Sequence, residues 1–282
     1  MAAALLSAYP PTRLTAQSQQ GVASLPGSTR SAGLAGAGVA LVGDAGSMFA
    51  NPAALATIHR VAVEGSYEQY PAGSTLSSAA VAGRMGHFDY GIAAHALRPA
   101  SAATQPTDVL ALSALVFRFG IIALGTSLKY VREGVSTPQV ETWAGDAGVA
   151  IALFDIFALG ASVQNLGGEL EAGAHLPRRT RAGFTMNYAD PQGSFRLLTT
   201  LEGQWPEGQP AVLVAGAEAG IVVRGVGIIA RMGVNGESSS YDVSPLAVGA
   251  GLALGRVQLD YAYRSFDASS GAMHRFGVRW AR

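Results

Sequence analysis

The chain has 282 residues, 49% of them apolar and only 13% charged, and its 19 basic and 19 acidic side chains cancel to a net charge of zero. Soluble domains carry about 25% charged residues, so apolar surface must be disposed of in an unusual way here. The balanced charge also lacks the basic patch of a nucleic-acid binder. Cysteine is absent, which excludes disulfides, thiolate metal sites and thiol nucleophiles.

Residues 1–20 read in two ways. Met1-Ala-Ala-Ala-Leu-Leu-Ser-Ala-Tyr9 has the apolar half of an export signal but no basic n-region, and Leu14-Thr15-Ala16-Gln17 is a mediocre cleavage site. The expectation is a signal remnant or a disordered tail. The next stretch, Gly27 to Ala56, is dense in Gly and Ala. Gly33, Gly36 and Gly38 superficially suggest a nucleotide loop, but the strand, helix and βαβ unit of a dinucleotide fingerprint are missing. Glycines that let backbones pack closely in a narrow space are the better reading. Asp44 is expected to cap a short helix from Ser47 to Ala50, ended by Asn51-Pro52.

From Val61 to Trp280 the chain alternates apolar and polar residues in about fourteen short runs, whose connections alternate short and long, the pattern of a transmembrane β-barrel. In the first run Val61, Val63 and Tyr67 share one face, and Ala62, Glu64, Ser66 and Glu68 the other. The fifth sets Ile122, Leu124, Thr126, Leu128 and Tyr130 against Ala123, Gly125, Ser127 and Lys129. The thirteenth sets Val257, Leu259, Tyr261 and Tyr263 against Gln258, Asp260, Ala262 and Arg264. Tight turns are expected at Met85-Gly86, Gly120, Phe154-Asp155, Asp190 to Gly193, Ala219-Gly220 and Leu254-Gly255. Gln164 to Arg178 is expected to be the longest loop. Tyr67, Tyr130, Tyr188, Trp205, Tyr241 and Trp280 fall near strand ends, where interfacial girdles belong. No stretch is apolar for the roughly 20 residues of a membrane helix. Burial on a closed barrel is the remaining route, with a soluble β-sandwich or solenoid as the alternative.

Alternation turns Arg179, Arg181, Arg264, Asp260, Arg275, Arg279, Lys129 and Glu202 inward, where a salt-bridged network would fill the lumen. The five histidines (His59, His87, His95, His175, His274) are scattered, and no metal-ligand spacing is found. His87, Asp89 and His95 share a parity, the only hint of a lumenal Ser/His/Asp site. The sequence argues against an enzyme and names no cofactor.

The Gly/Ala-rich stretch followed by Asp44 and Asn51-Pro52-Ala53 just before the first strand resembles the FadL-like outer-membrane transporters, closest to the PorV/PorQ branch. Val163-Gln164-Asn165-Leu166-Gly167, Leu176-Pro177, Arg181-Ala182-Gly183, Leu259 to Tyr263 and His274-Arg275-Phe276 resemble further signatures of that branch. Gly46 departs from it, since the branch often carries a second small or acidic residue there. The resemblance implies an all-β, antiparallel up-and-down transmembrane barrel of about fourteen strands over residues 59–282 in a bacterial outer membrane. Residues 21–58 would be an N-terminal plug or hatch built on Gly33, Gly36, Gly38, Asp44, Asn51 and Pro52, and Asn165, Leu166 and Gly167 a family-like loop motif. It implies a cargo- or machinery-binding barrel of protein secretion, of the type IX kind. The alternatives are a FadL-like transporter of hydrophobic small molecules, with a strand kink such as Ser244-Pro245 beside an apolar pocket, and a structural subunit of an envelope complex. The partners implied are outer-membrane lipid, envelope or secretion proteins and hydrophobic small molecules, with no nucleic acid.

Overall fold

The period-two pattern becomes fourteen antiparallel strands in a computed structural model, which describes residues 21–71, 73–100, 106–134, 140–154, 156–168, 176–189, 194–237, 243–266 and 271–282. They are β1 (Val61–Gln69), β2 (Thr75–Met85), β3 (Phe88–Arg98), β4 (Asp108–Phe119), β5 (Ile122–Glu133), β6 (Val140–Leu153) and β7 (Phe157–Gly167). The second half comprises β8 (Arg179–Ala189), β9 (Phe195–Pro206), β10 (Val212–Val223), β11 (Val226–Asn235), β12 (Val243–Leu254), β13 (Val257–Phe266) and β14 (Ala272–Ala281). Each strand pairs with its sequence neighbours, and β1 pairs with β14 to close the barrel. At the seam Tyr67 lies opposite Phe276 and Val63 opposite Trp280. Closure pairs the backbone all round and leaves no free strand edge.

The pleat sorts the side chains as the alternation requires. In β1, Val61 and Val63 are exposed while Ala62 and Glu64 are buried. The same division runs through β5 and β13. The outward face is apolar all round, from Ile92 on β3 and Leu128 on β5 to Leu213 on β10 and Phe276 on β14. Among the described residues, no helix is long and apolar enough to cross a membrane.

Short connections join even strands to the odd strands that follow, and both ends of the barrel sequence lie on that short-turn side. The turn between β10 and β11 corrects the sequence reading. It falls at Arg224-Gly225, and Ala219-Gly220 lies inside β10. Arg224 and Gly225 both have positive φ, 52° and 81°, the conformation of a two-residue turn that matches strand twist. Gly220 is ordinary strand backbone opposite Ile229.

Strand β7 also runs further than expected and contains Asn165, Leu166 and Gly167, so this motif ends a strand instead of opening the long loop. The register shifts there, and Gln164 and Asn165 together oppose Asp146 on β6. That is a β-bulge, which bends the strand and re-aims its side chains. Asn165 takes a φ of 62°, its N–H donates to Asp146 Oδ1 at 2.9 Å, and its amide donates to the Pro177 carbonyl at 2.7 Å. Trp205 and Pro206, expected in a loop, end β9. Residues 1–20, the Asp190 to Gly193 turn, Tyr241 and His175 lie outside the described residues.

Candidate functional site

Residues 21–58 pack against the inward faces of strands from all parts of the barrel. The local sequence sets the path. Ser28 Oγ accepts from the Ser31 N–H at 3.0 Å and starts a short helix, α1 (Thr29–Gly33). The chain reverses at Gly36, whose φ of 94° suits glycine. Two 3-10 turns follow, Ala45–Phe49 and Pro52–Thr57. Asn51 joins them: its Oδ1 accepts from the Ala53 N–H at 3.0 Å, while its amide donates to the carbonyls of Val39 at 2.8 Å and Val149 at 3.1 Å. Pro52 occupies the first helical position, where its missing N–H is harmless. So Asn51-Pro52 opens a second turn as well as ending the first.

Asp44 corrects another expectation. It precedes the first 3-10 turn, but its side chain makes no capping bond. Its carboxylate is held by Arg30 and Arg279. Arg30 also donates to Glu218 at 2.8 Å and 3.0 Å. Glu218 takes a second arginine, Arg231, at 2.6 Å, and Arg231 reaches Asp260 at 2.6 Å. Arg279 lies 3.7 Å from Asp260, which closes a loop of three arginines and three carboxylates. The carboxylates, Arg30 and Arg231 are all buried. A buried charge is tolerable only with this degree of pairing.

The glycine-rich turn does bind an anion, one supplied by the wall. The N–H groups of Gly38 and Val39 both donate to Glu202 Oε2, at 2.7 Å and 2.8 Å, and Arg181 holds Oε1 at 2.6 Å. Gly33 lies against the backbone of Gly249 on β12. Gly46 is enclosed by Gly27, Ser28 and Glu64, which leaves no room for a larger residue. The nucleotide reading has no support in this geometry.

The eight inward charges expected from alternation are all turned to the lumen, and most are paired. Besides the groups above, Lys129 meets Asp146 at 2.7 Å and Arg275 meets Glu68 at 3.0 Å. Arg30, Glu218 and Arg231 went unremarked in the sequence. Placing the β10–β11 turn at Arg224-Gly225 would have turned Glu218 and Arg231 inward by parity. Beside this row, burial and the Glu68 carboxylate push the Tyr70 phenol well above its ordinary value.

His95 is wholly buried, stacks on Phe49 at 3.8 Å and hydrogen-bonds Ser78 Oγ through Nδ1 at 2.7 Å. Asp89 is paired instead with Arg84 and Arg118, and His87 sits exposed in the β2–β3 turn. The three residues that share a parity therefore form no triad.

Hollows of different chemistry adjoin the inner segment and the outer face. On the long-loop side a polar cavity of about 70 Å³ is lined by Arg179, Arg181, Arg264 and Asn235. It adjoins the expected irregularity: the β12–β13 register shifts between Val243 and Ala247, and Arg264 Nε donates to the Ser244 carbonyl at 2.7 Å. The bulge is present, but its neighbour is polar and small, below the ~150 Å³ that holds benzene. The apolar space lies elsewhere. At the short-turn end a cleft of about 390 Å³ separates Val39 to Val42 and Ala54 from Ile121, Ala152, Phe154 and Leu159 of the β4–β7 wall. A further apolar hollow of about 470 Å³ lies on the outward face of β2–β6, away from the inner segment, rimmed by Ile92, Leu128, Tyr130 and Trp143. No group of His, Asp or Glu able to hold a metal occurs among the described residues.

Comparison with known proteins gives fold and little else. No protein-family model matches the chain. No curated protein matches it in sequence. Solved structures do. The toluene transporter TbuX of Ralstonia pickettii superimposes with a TM-score of 0.63 at 11% identity, over 91% of this chain and 98% of that one. A FadL homologue of Pseudomonas aeruginosa gives 0.61 at 11%, over 92% and 99%. The toluene transporter TodX of Pseudomonas putida gives 0.59 at 9%, over 92% and 98%. The chain thus shares the FadL-type fourteen-stranded barrel fold.

Proposed function

We propose that the chain is a non-enzymatic channel of a bacterial outer membrane that passes hydrophobic small molecules, with residues 21–58 as its plug. The apolar cleft of about 390 Å³ between the inner segment and the β4–β7 wall carries this reading. It exceeds the ~150 Å³ that accommodates benzene, and its walls are mostly apolar, with Thr57 and Arg118 as the polar side chains that line it. The apolar outward face is what hydrocarbon requires of a barrel. The fold of the two toluene transporters supports the same direction. The secretion reading rests on the sequence resemblance alone.

Uptake of labelled toluene by cells expressing the chain tests the proposal. Uptake should exceed that of cells with an empty vector. Ala152→Trp places a large ring at the exposed rim of the cleft and should bring uptake back toward the control. Uptake equal to the control for the unmodified chain, or unchanged by Ala152→Trp, would refute the assignment.

A further inference from the structure

At the short-turn end, across the inner segment from the apolar cleft, lies a separate pocket of about 270 Å³. Four arginines line it (Arg30, Arg196, Arg256 and Arg279), against a single carboxylate, Glu218. The pairing shows which charges are already used. Arg30, Arg231 and Arg279 balance Asp44, Glu218 and Asp260, three against three. Arg196 and Arg256 stand outside that loop. Arg196 Nε donates to a neutral partner, Asn187 Oδ1, at 2.7 Å. Arg256, in the β12–β13 turn, has no side-chain hydrogen bond or ion pair among the described residues. Two uncompensated guanidinium groups therefore share one concave site, whose rim at Gly43, Gly255 and Arg256 is exposed.

We infer that this pocket is an anion site for a phosphate group, with Arg196 and Arg256 as its binding residues. Guanidinium matches phosphate geometry with paired N–H donors. The balanced loop beneath supplies a rigid floor, because its arginines have no freedom to turn away from their carboxylates. The pocket holds a phosphate or diphosphate group with room to spare, and Val42, Ile229, Ala253, Val257 and Ala281 add apolar lining. The phosphate can belong to a soluble compound on the short-turn side or to the headgroup of an anionic phospholipid in the adjoining leaflet. Because Arg30, Val42 and Gly43 of the inner segment line the pocket, an occupant would also tie that segment to β9 and the β12–β13 turn. The inference rests on charge and geometry, and holds whether or not hydrophobic solutes cross the barrel.

The test uses the purified full chain and the double variant Arg196→Gln, Arg256→Ser. Both positions lie outside the balanced ion loop, so the variant should fold, as heat-modifiable migration on gels would report. Calorimetric titration with inorganic pyrophosphate in neutral detergent probes the soluble source. Native mass spectrometry from phosphatidylcholine nanodiscs containing phosphatidylglycerol probes the headgroup source. Saturable binding or selective lipid retention that the double variant weakens by about tenfold or more, the loss of roughly one charged hydrogen bond, would support the site. Arg98→Ser, on the long-loop side, should leave both readings unchanged. Absence of binding to both probes, or equal binding by a folded double variant, would overturn the inference.

Discussion

The inner segment is held by two unlike walls. Toward β2–β6 the contact is apolar: Met48, Ala53, Leu55 and Ile58 pack on Ala80, Ala93, Leu110, Val116 and Ala123. Toward β9–β14 a smaller apolar contact, Leu34, Ala35, Ala37 and Leu41 on Leu198, Val214 and Ala247, is joined by ionic ones: Arg30 and Asp44 are locked into Glu218 and Arg279, and Gly38 and Val39 into Glu202. Apolar packing is graded, so each methylene counts a little and neighbours can relax. A buried ion loop is all-or-nothing, since removing one member strands the others without water. The cleft proposed for passage lies on the apolar side, where the wall can adjust at small cost. The ionic side acts as the fixed anchor.

That contrast can be broken in graded steps. Glu218→Gln leaves Arg30 and Arg231 without their shared negative charge and should lower stability by about 4 kcal/mol, read from urea unfolding of the barrel in detergent. Leu55→Ala should lose about 3 kcal/mol by the same measurement, and Leu55→Met much less. Equal losses for Leu55→Ala and Leu55→Met would show that the apolar side is no better relaxed than the ionic one. Ile92→Lys, on the outward face, should cost about 2 kcal/mol in a bilayer and little in detergent. Gly148→Ala sets a Cβ against the Asn51 side chain and should cost about 1 kcal/mol, seen as faster trypsin cleavage after Arg30.

Much of this fold is legible in the alternation, because a barrel strand obeys one rule along its whole length. The outward and inward faces of β1, β5 and β13 followed from parity alone. The misplaced β10–β11 turn shows where that fails: Gly220 and Gly225 look alike in sequence, and only the cross-strand register distinguishes a turn glycine from a strand glycine. The bulge at Gln164-Asn165 escaped for the same reason, since it depends on what Asp146 can accept across the sheet. The inner segment is the least legible part. Its glycines and Asn51-Pro52 marked it as distinctive, but Arg30 has no periodic context that would pair it with Glu218, 188 positions away. Asp44 looked like a helix cap because local chemistry allows it, and the arginines that claim it come from distant strands.

Ion conductance across a planar bilayer tests most directly whether residues 21–58 shut the lumen to water while apolar solutes pass beside them. The purified chain should insert without steady conductance above the lipid background, and Glu218→Gln should introduce intermittent openings. Stable ohmic conductance from the unmodified chain would mean a water-filled pore and would contradict a sealed barrel.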